Sequence, residues 1–343
     1  MAKVWEDREI KFDVQNIHKK LHNGERVLDV IDSVEDTKGN AGDIGRVIVT
    51  NLRFMWYSLT NPKFTLSIGF FCIVTMNAKN VISRLRANTE ALYILTSSTK
   101  QRFEFIFTDY GTNPAHFASI FEIYKKYQTT TLYRELKLRS AILTDGQLNI
   151  LKHEQVYKQM SGIYNLSSDQ GNLGVFIITN IRLVWYADAN ESFNISLPYM
   201  QIISVKMRES KYGLALVIQT AHSAGNYVLG FRIDPQEKME EIFKEISSLY
   251  AVYSETPIFG VDYDNTVKEK KEEMLRIDDI PEIDEATSNE INSKFTMYLR
   301  EGDSNSRRAT LSYCKELGFA IEKLRDGFSI KDLWNVMGDA EEK

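Results

Sequence analysis

Two short cationic strings stand out among the residues able to do chemistry. Arg84-Leu-Arg86 and Lys206-Met-Arg208 each place two positive side chains two positions apart. Residues two apart on a strand share a face, so each pair would present its cations side by side with the apolar residue turned inward. Lys79 and Lys211 stand near enough in sequence to join them. Such a cluster suits a multiply charged phosphate headgroup at a membrane surface, through charge-assisted hydrogen bonds and attraction to anionic lipid. The competing reading is a solvated strand face, and a duplication alone would make the pair recur.

Other chemistry is hard to find. His18 and His22, four apart, have the spacing of ligands on one helix face, but no third ligand stands nearby, so no metal is expected. The two cysteines, Cys72 and Cys314, form no metal spacing and no disulfide framework, which fits a reducing cytoplasmic setting. Gly39-Asn-Ala-Gly-Asp-Ile-Gly45 resembles a phosphate cradle only superficially. It leads into a strand pattern and lacks the terminal Lys-Ser/Thr, so its glycines serve a turn. With no nucleophile elbow, zinc-protease motif or dinucleotide fingerprint, neither catalysis nor a cofactor is expected.

Composition narrows the class further. Hydrophobic residues make up 43% and charged residues 26%, the balance of a folded globular chain. The longest apolar runs fall far short of the roughly 20 residues a membrane span needs, and the N-terminal residues lack the apolar stretch of a secretory signal. The net charge is −5, yet residues 264–290 alone hold ten acidic against four basic residues. The remaining body is near neutral, which argues against a nucleic-acid partner, since phosphate neutralisation needs a basic face.

The elements that must position these residues come from an internal duplication. Residues 42–57 lie over residues 171–186 at a constant offset of 129, with 8 of 16 positions identical, including Thr-Asn-x-Arg-x-x-Trp-Tyr in both. The offset continues without a gap through residues 64–73 and 193–202. Within each copy, β-branched and aromatic runs of strand length alternate with polar residues, and Thr-Asn between two runs predicts a tight positive-φ hairpin turn. Each copy ends in an amphipathic helix. Pro114 opens the first, with Phe117, Ile120, Phe121 and Tyr124 on one stripe; Asp234 caps the second, with Pro235 at its first position and Met239, Ile242, Phe243, Ile246, Leu249 and Tyr253 as the stripe.

About seven short antiparallel strands followed by one helix is the layout of a pleckstrin-homology-like barrel. The fold class is mainly β: two tandem barrels, each with a C-terminal helix, then an acidic linker and a partly helical tail. The division runs as an N-terminal segment 1–23, a first domain 24–128, a connector 129–149, a second domain 150–252, an acidic flexible linker 253–306 and a docking tail 307–343. Phe319, Leu324, Phe328 and Trp334 are the tail's anchors, to be buried on its own barrel or a neighbouring subunit, because left exposed they would form a sticky patch.

These motifs resemble the Bardet–Biedl syndrome 5 family. The resemblance rests on the paired Thr-Asn-x-Arg-x-x-Trp motifs, residues 33–39 and 165–174, Lys211-Tyr-Gly-Leu-Ala-Leu-Val217, Val228-Leu-Gly-Phe231, Pro257-Ile-Phe-Gly-Val-Asp-Tyr263 and residues 316–328. It implies a non-enzymatic subunit of the BBSome, a coat-like complex that an Arf-like small GTPase recruits to membranes. That complex carries membrane-protein cargo into and out of cilia alongside intraflagellar transport. The partners implied are other BBSome subunits and, through the complex, the GTPase and cargo. The location implied is the cytoplasm, the cilium and the ciliary base. The family's two pleckstrin-homology (GRAM-like) domains imply phosphoinositide binding, but this sequence departs from the usual headgroup site, which draws Lys and Arg from the first strand pair and its loop. Here residues 33–45 and 162–174 hold one lysine, Lys38, between them, so lipid contact is expected either to be weak or to use the Arg84/Arg86 and Lys206/Arg208 strips instead.

Overall fold

A computed structural model describes residues 6–14, 21–83, 85, 88–98, 101–111, 117–167, 172–263, 298, 311–314 and 319–322. The chain divides into two units, Met1–Leu299 and Arg300–Lys343. Within the first, two separate eight-stranded antiparallel sheets each curl around their own core.

The first sheet contains β1 (Ile10–Phe12), β2 (Val27–Asp36), β3 (Ile44–Thr50), β4 (Arg53–Ser58), β5 (Thr65–Gly69), β6 (Ile73–Ile82), β7 (Asn88–Ser98) and β8 (Gln101–Asp109). Their spatial order is β1-β5-β4-β3-β2-β8-β7-β6. The long β2 bends the sheet on itself: its first part pairs with β3, while Val34, Glu35 and Asp36 also pair with β8. The bend falls at an irregularity between Ile31 and Val34, where Ser33 adopts a φ of 60°. Helix α1 (Ala118–Thr129) then closes the core with Ile120, Ile123 and Tyr127, while Phe117, Phe121 and Tyr124 pack at its margin.

The second copy repeats the plan. After β9 (Lys137–Leu138) and the small hairpin of β10 (Leu143–Thr144) and β11 (Gln147–Leu148) come β12 (Val156–Asn165), β13 (Asn172–Thr179), β14 (Arg182–Ala187), β15 (Asn190–Pro198), β16 (Ile202–Ser210), β17 (Gly213–Thr220) and β18 (Val228–Ile233). The order is β16-β17-β18-β12-β13-β14-β15-β9, and β12 bends where β2 does, at Gly162 (φ 82°). Helix α2 (Gln236–Glu255) buries Met239, Ile242 and Ile246, with Phe243, Leu249 and Tyr253 beside them. Fully burying each such side chain contributes roughly 1.5–3 kcal/mol, so the helical stripe is a large part of what holds each barrel shut.

Several sequence expectations need correction. Neither Thr50 nor Asn51 takes positive φ; the turn is held by the Thr50 hydroxyl, which accepts the N–H groups of Leu52 and Arg53 at 3.1 and 3.0 Å, so a side chain replaces the left-handed backbone. Asp234 does not cap α2, whose N-cap is Pro235 without a side-chain hydrogen bond; the Asp234 carboxylate pairs with Arg232 at 3.1 Å instead. Pro114 lies outside the described residues.

Segments assigned to termini and linkers are part of the barrels. β1 lies in 1–23 yet pairs with β5, and β9 lies in the connector yet pairs with β15. The connector is also knotted to both domains. Arg134, buried over the Tyr127 ring at 3.7 Å, donates to the carbonyls of Thr130 and Tyr127 at the end of α1, while its own carbonyl accepts from Gln201. Asp7 accepts from the Tyr127 hydroxyl at 2.9 Å, and burial pushes its carboxyl above the ordinary range. Beyond α2, Phe259 buries against Leu52 and Met200, and Val261 enters the first core. Apolar burial thus holds the start of the 253–306 stretch, assigned from sequence to a flexible linker, against the barrels.

In the second unit, β19 (Leu311–Cys314) and β20 (Phe319–Glu322) form an antiparallel hairpin, with Cys314 opposite Phe319. The sequence predicts a partly helical tail; the described backbone here is strand. Of the tail anchors, Phe319 begins β20, and Leu324, Phe328 and Trp334 lie outside the described residues.

Candidate functional site: barrel mouths and edge strands

The most repeated residues turn out to be scaffold. Arg53 donates through Nε and Nη2 to both oxygens of Glu25, at 2.8 and 3.2 Å, and through Nη1 to Ser67 at 3.3 Å. Arg182 does the same to Glu154, at 2.8 and 2.9 Å, and to Ser196 at 3.2 Å. All six side chains are buried. Asn51 accepts from the Arg26 N–H and donates to the Gly24 carbonyl; Asn180 accepts from Gln155 and donates to His153. The tryptophans complete the match, Trp56 donating to the Val34 carbonyl at 2.9 Å and Trp185 to that of Ile163 at 3.2 Å. Gly45 and Gly174 permit this, because a Cβ would sit 2.4 Å from the Trp56 ring and 2.8 Å from the Trp185 ring. A bidentate Arg–carboxylate pair whose third guanidinium nitrogen also finds a partner is the form in which a buried charge is tolerated. Glu25 and Glu154 lie at the same offset of 129, outside the window that makes the repeat obvious; extending the alignment upstream finds them.

The cationic candidates sit on sheet edges. Lys79 lies exposed on β6, its ammonium 3.3 Å from the centre of the Tyr93 ring, a favourable cation–π geometry. Lys206 and Arg208 are exposed on β16, an edge of the second sheet. They stand opposite Val217 and Ala215, and among the described residues no carboxylate forms an ion pair with either. Lys211 occupies the turn after β16 with its ammonium 4.9 Å from the Tyr212 ring. Arg84 and Arg86 lie outside the described residues, between the ends of β6 and β7. The matching of Arg84/Arg86 with Lys206/Arg208 therefore needs correction. Strand register makes Lys79, opposite Ala91, the counterpart of Arg208, opposite Ala215, and Asn77 the counterpart of Lys206. The physical reason is the hairpin length: β6 and β7 join through residues 83–87, β16 and β17 through residues 211–212 alone.

The barrel mouths carry a different chemistry. In the first, Lys38 pairs with Glu104 at 3.1 Å. Glu35 is buried and accepts from the Gly42 N–H and from Ser83 and Tyr110. Asp36 is buried with its carboxyl pushed up by burial, and it accepts the hydroxyl of Tyr298 at 2.5 Å. Sequence reading missed Tyr298 because the acidic linker assigned from sequence takes in residues 291–300, although these hold no acidic residue and Ile291, Phe295, Tyr298 and Leu299 fall at helical spacing. Loop 37–43 leads into β3, as a turn and not a phosphate cradle would. Among the described residues no group of three or more His, Cys, Asp or Glu side chains is placed to hold a metal, and no helix is long and apolar enough to cross a membrane; His18 lies outside them.

Comparison with known proteins places the two barrels in sequence families. Residues 25–129 match the Bardet-Biedl syndrome 5 protein N-terminal PH-like domain, and residues 137–263 match its second PH-like domain. The protein named BBSome complex member BBS5 from Danio rerio is 49% identical over 336 residues, covering 98% of each chain. The protein of the same name from Homo sapiens is 48% identical over 335 residues, covering 97% of this chain and 98% of its own. Among solved structures, the Vps36 N-terminal PH domain aligns with a TM-score of 0.26 at 11% identity, over 34% of this chain and 98% of that one.

Proposed function

The chain belongs to the Bardet–Biedl syndrome 5 protein family, and from that premise we propose that it is a non-enzymatic subunit of the BBSome, acting in the cytoplasm, at the ciliary base and in the cilium. Its two barrels bind neighbouring subunits, and their edge strands contact phosphoinositide membrane weakly. The Arf-like GTPase and the ciliary cargo are reached through the complex. The tail, through Phe319, Leu324, Phe328 and Trp334, docks on a surface.

One observation carries the membrane part. The mouth of the first barrel is lined by Glu35, Asp36 and an engaged Lys38, whereas Lys206 and Arg208 stand exposed on the edge of the second sheet. An anionic headgroup is repelled at the one place and attracted at the other. Lys79 provides the matching charge on the first sheet, with Arg84, Arg86 and Lys211 next to the strips in sequence.

Liposome flotation of the full chain tests this reading. Binding to phosphoinositide vesicles should be modest and should fall as salt rises, because such charges act within a Debye length of about 8 Å at physiological ionic strength. Replacing Lys79, Lys206 and Arg208 together by Ala should weaken it by about 1 kcal/mol per charge. A triple variant that still co-purifies with BBSome subunits but no longer floats separates the two roles. If the unaltered chain does not float at all, the protein is a purely structural scaffold subunit.

A further inference from the structure

Tyr298 is 3% exposed although residues 264–297 separate it from the preceding described part of the chain. Its ring lies 5.2 Å from that of Phe12 and 5.0 Å from that of Phe105, centre to centre. Its hydroxyl donates to Asp36 Oδ2 at 2.5 Å and accepts from Asn40 Nδ2 at 3.1 Å. Asn40 Nδ2 also donates to Asp36 Oδ2 at 2.7 Å, and the Gly39 N–H donates to Asp36 Oδ1 at 3.2 Å. The site is shaped as well as polar. A Cβ on Gly39 would fall 1.9 Å from the Tyr298 hydroxyl, so the loop admits the phenol only because residue 39 has no side chain.

Asp36 is the part that needs explaining. A fully buried carboxylate with no cation beside it is costly unless its lone pairs are filled, and here the phenol supplies the shortest of its hydrogen bonds. Two aromatic walls and one acceptor at the far end are what a tyrosine side chain requires: an apolar body and one polar tip. We propose that the mouth of the first barrel, built from Phe12, Phe105, Gly39, Asn40 and Asp36, is a tyrosine-binding pocket, occupied in cis by Tyr298. Val261 and Tyr263 already pack on the same core, so the seated phenol fixes both ends of the 264–297 stretch to one barrel. A segment from another protein that offers a tyrosine would compete for the same pocket and free that stretch. This holds independently of either reading of the lipid surface.

The test uses the full chain and a fluorescent peptide of residues 292–304. The peptide should bind Tyr298→Ala saturably and at least tenfold more weakly to the unaltered chain, whose pocket is filled. It should also bind at least tenfold more weakly to the Gly39→Ala/Tyr298→Ala double variant. A peptide carrying Phe for Tyr298 should lose on the order of tenfold, since Asp36 is left without its donor. Hydrogen exchange of amides 36–43 should be faster in Tyr298→Ala than in the unaltered chain and be slowed by added peptide. Equal binding to the unaltered and Tyr298→Ala chains, or no binding to the latter, overturns the proposal. If Tyr298→Ala does not fold, exchange in Tyr298→Phe decides: rates at 36–43 equal to those of the unaltered chain count against the pocket.

Discussion

The two barrels agree inside and differ at their mouths. In the first, β1 sets Phe12 opposite Leu66, and Phe12 packs on Phe103, Phe105 and Tyr298. In the second, β9 sets Leu138 at the equivalent place, opposite Ile195, where it remains 43% exposed. The first mouth has Asp36 with its phenol partner; the second has Asn165, whose side chain satisfies itself by accepting the Ser167 N–H at 2.9 Å. Duplication has kept what each barrel needs to close and released what touches other segments. Matching residues in the interior therefore report on folding, and mismatched residues at the mouths and edges report on what each domain meets.

The sharpest way to break this comparison is to attack the shared interior. Arg53→Met and Arg182→Met each leave a buried glutamate without its cation, which typically costs 3–5 kcal/mol. Chemical unfolding followed by tryptophan fluorescence should show losses of that size in both, equal within about 1 kcal/mol, because the bidentate carboxylate pair and the serine contact recur in both copies. A barrel that loses less than about 1 kcal/mol would show that its network is not equivalent after all.

A second perturbation targets what only one copy has. Leu52 is fully buried against Phe259 and Met200, so the turn of the first barrel, the segment after α2 and the second barrel meet at one point. Phe259→Ala should cost about 3–5 kcal/mol, the usual range for removing a buried aromatic side chain. In a double-mutant cycle with Leu52→Ala the two should couple by about 0.5–3 kcal/mol, as residues in contact do. Additive losses would mean that the contact does not tie the domains together.

How much of this was legible in the sequence depends on the range of the interaction. The duplication, the strand periods and both helical stripes follow from local pattern, and Ile120, Ile242 and Ile246 are buried as their spacing requires. The Thr-Asn turn was placed correctly but given the wrong mechanism, since a hydroxyl that accepts two N–H groups leaves no mark in periodicity. The role of Arg53 depends on Glu25, a partner that only alignment of the two copies can point to. Tyr298 and Phe259 bury themselves from short apolar segments, residues 295–299 and 257–261, that flank the acidic 264–290 stretch, and what they pack on lies far away in sequence, so no local rule finds their partners. The two cationic pairs are not equivalent, because the β6–β7 hairpin is longer than the β16–β17 hairpin and strand register, not sequence distance, defines equivalence.

The smallest effect is the most diagnostic of common design. Both long strands bend at one residue of positive φ, Ser33 in β2 (60°) and Gly162 in β12 (82°), at equivalent positions. A left-handed backbone costs an L-residue about 1–2 kcal/mol, a penalty that glycine escapes, although glycine loses more freedom on folding. Ser33→Gly should therefore raise stability by up to about 1 kcal/mol, with the Ser33 carbonyl still accepting the Tyr110 N–H. Gly162→Ser should lower it by about 1 kcal/mol, and for conformational reasons alone, because nothing lies within 4 Å of the position its Cβ would take. Urea unfolding of the two single variants and the double swap resolves the signs. Opposite signs that nearly cancel in the double variant would show one bend serving both barrels; a neutral Gly162→Ser would show that the second barrel can bend elsewhere.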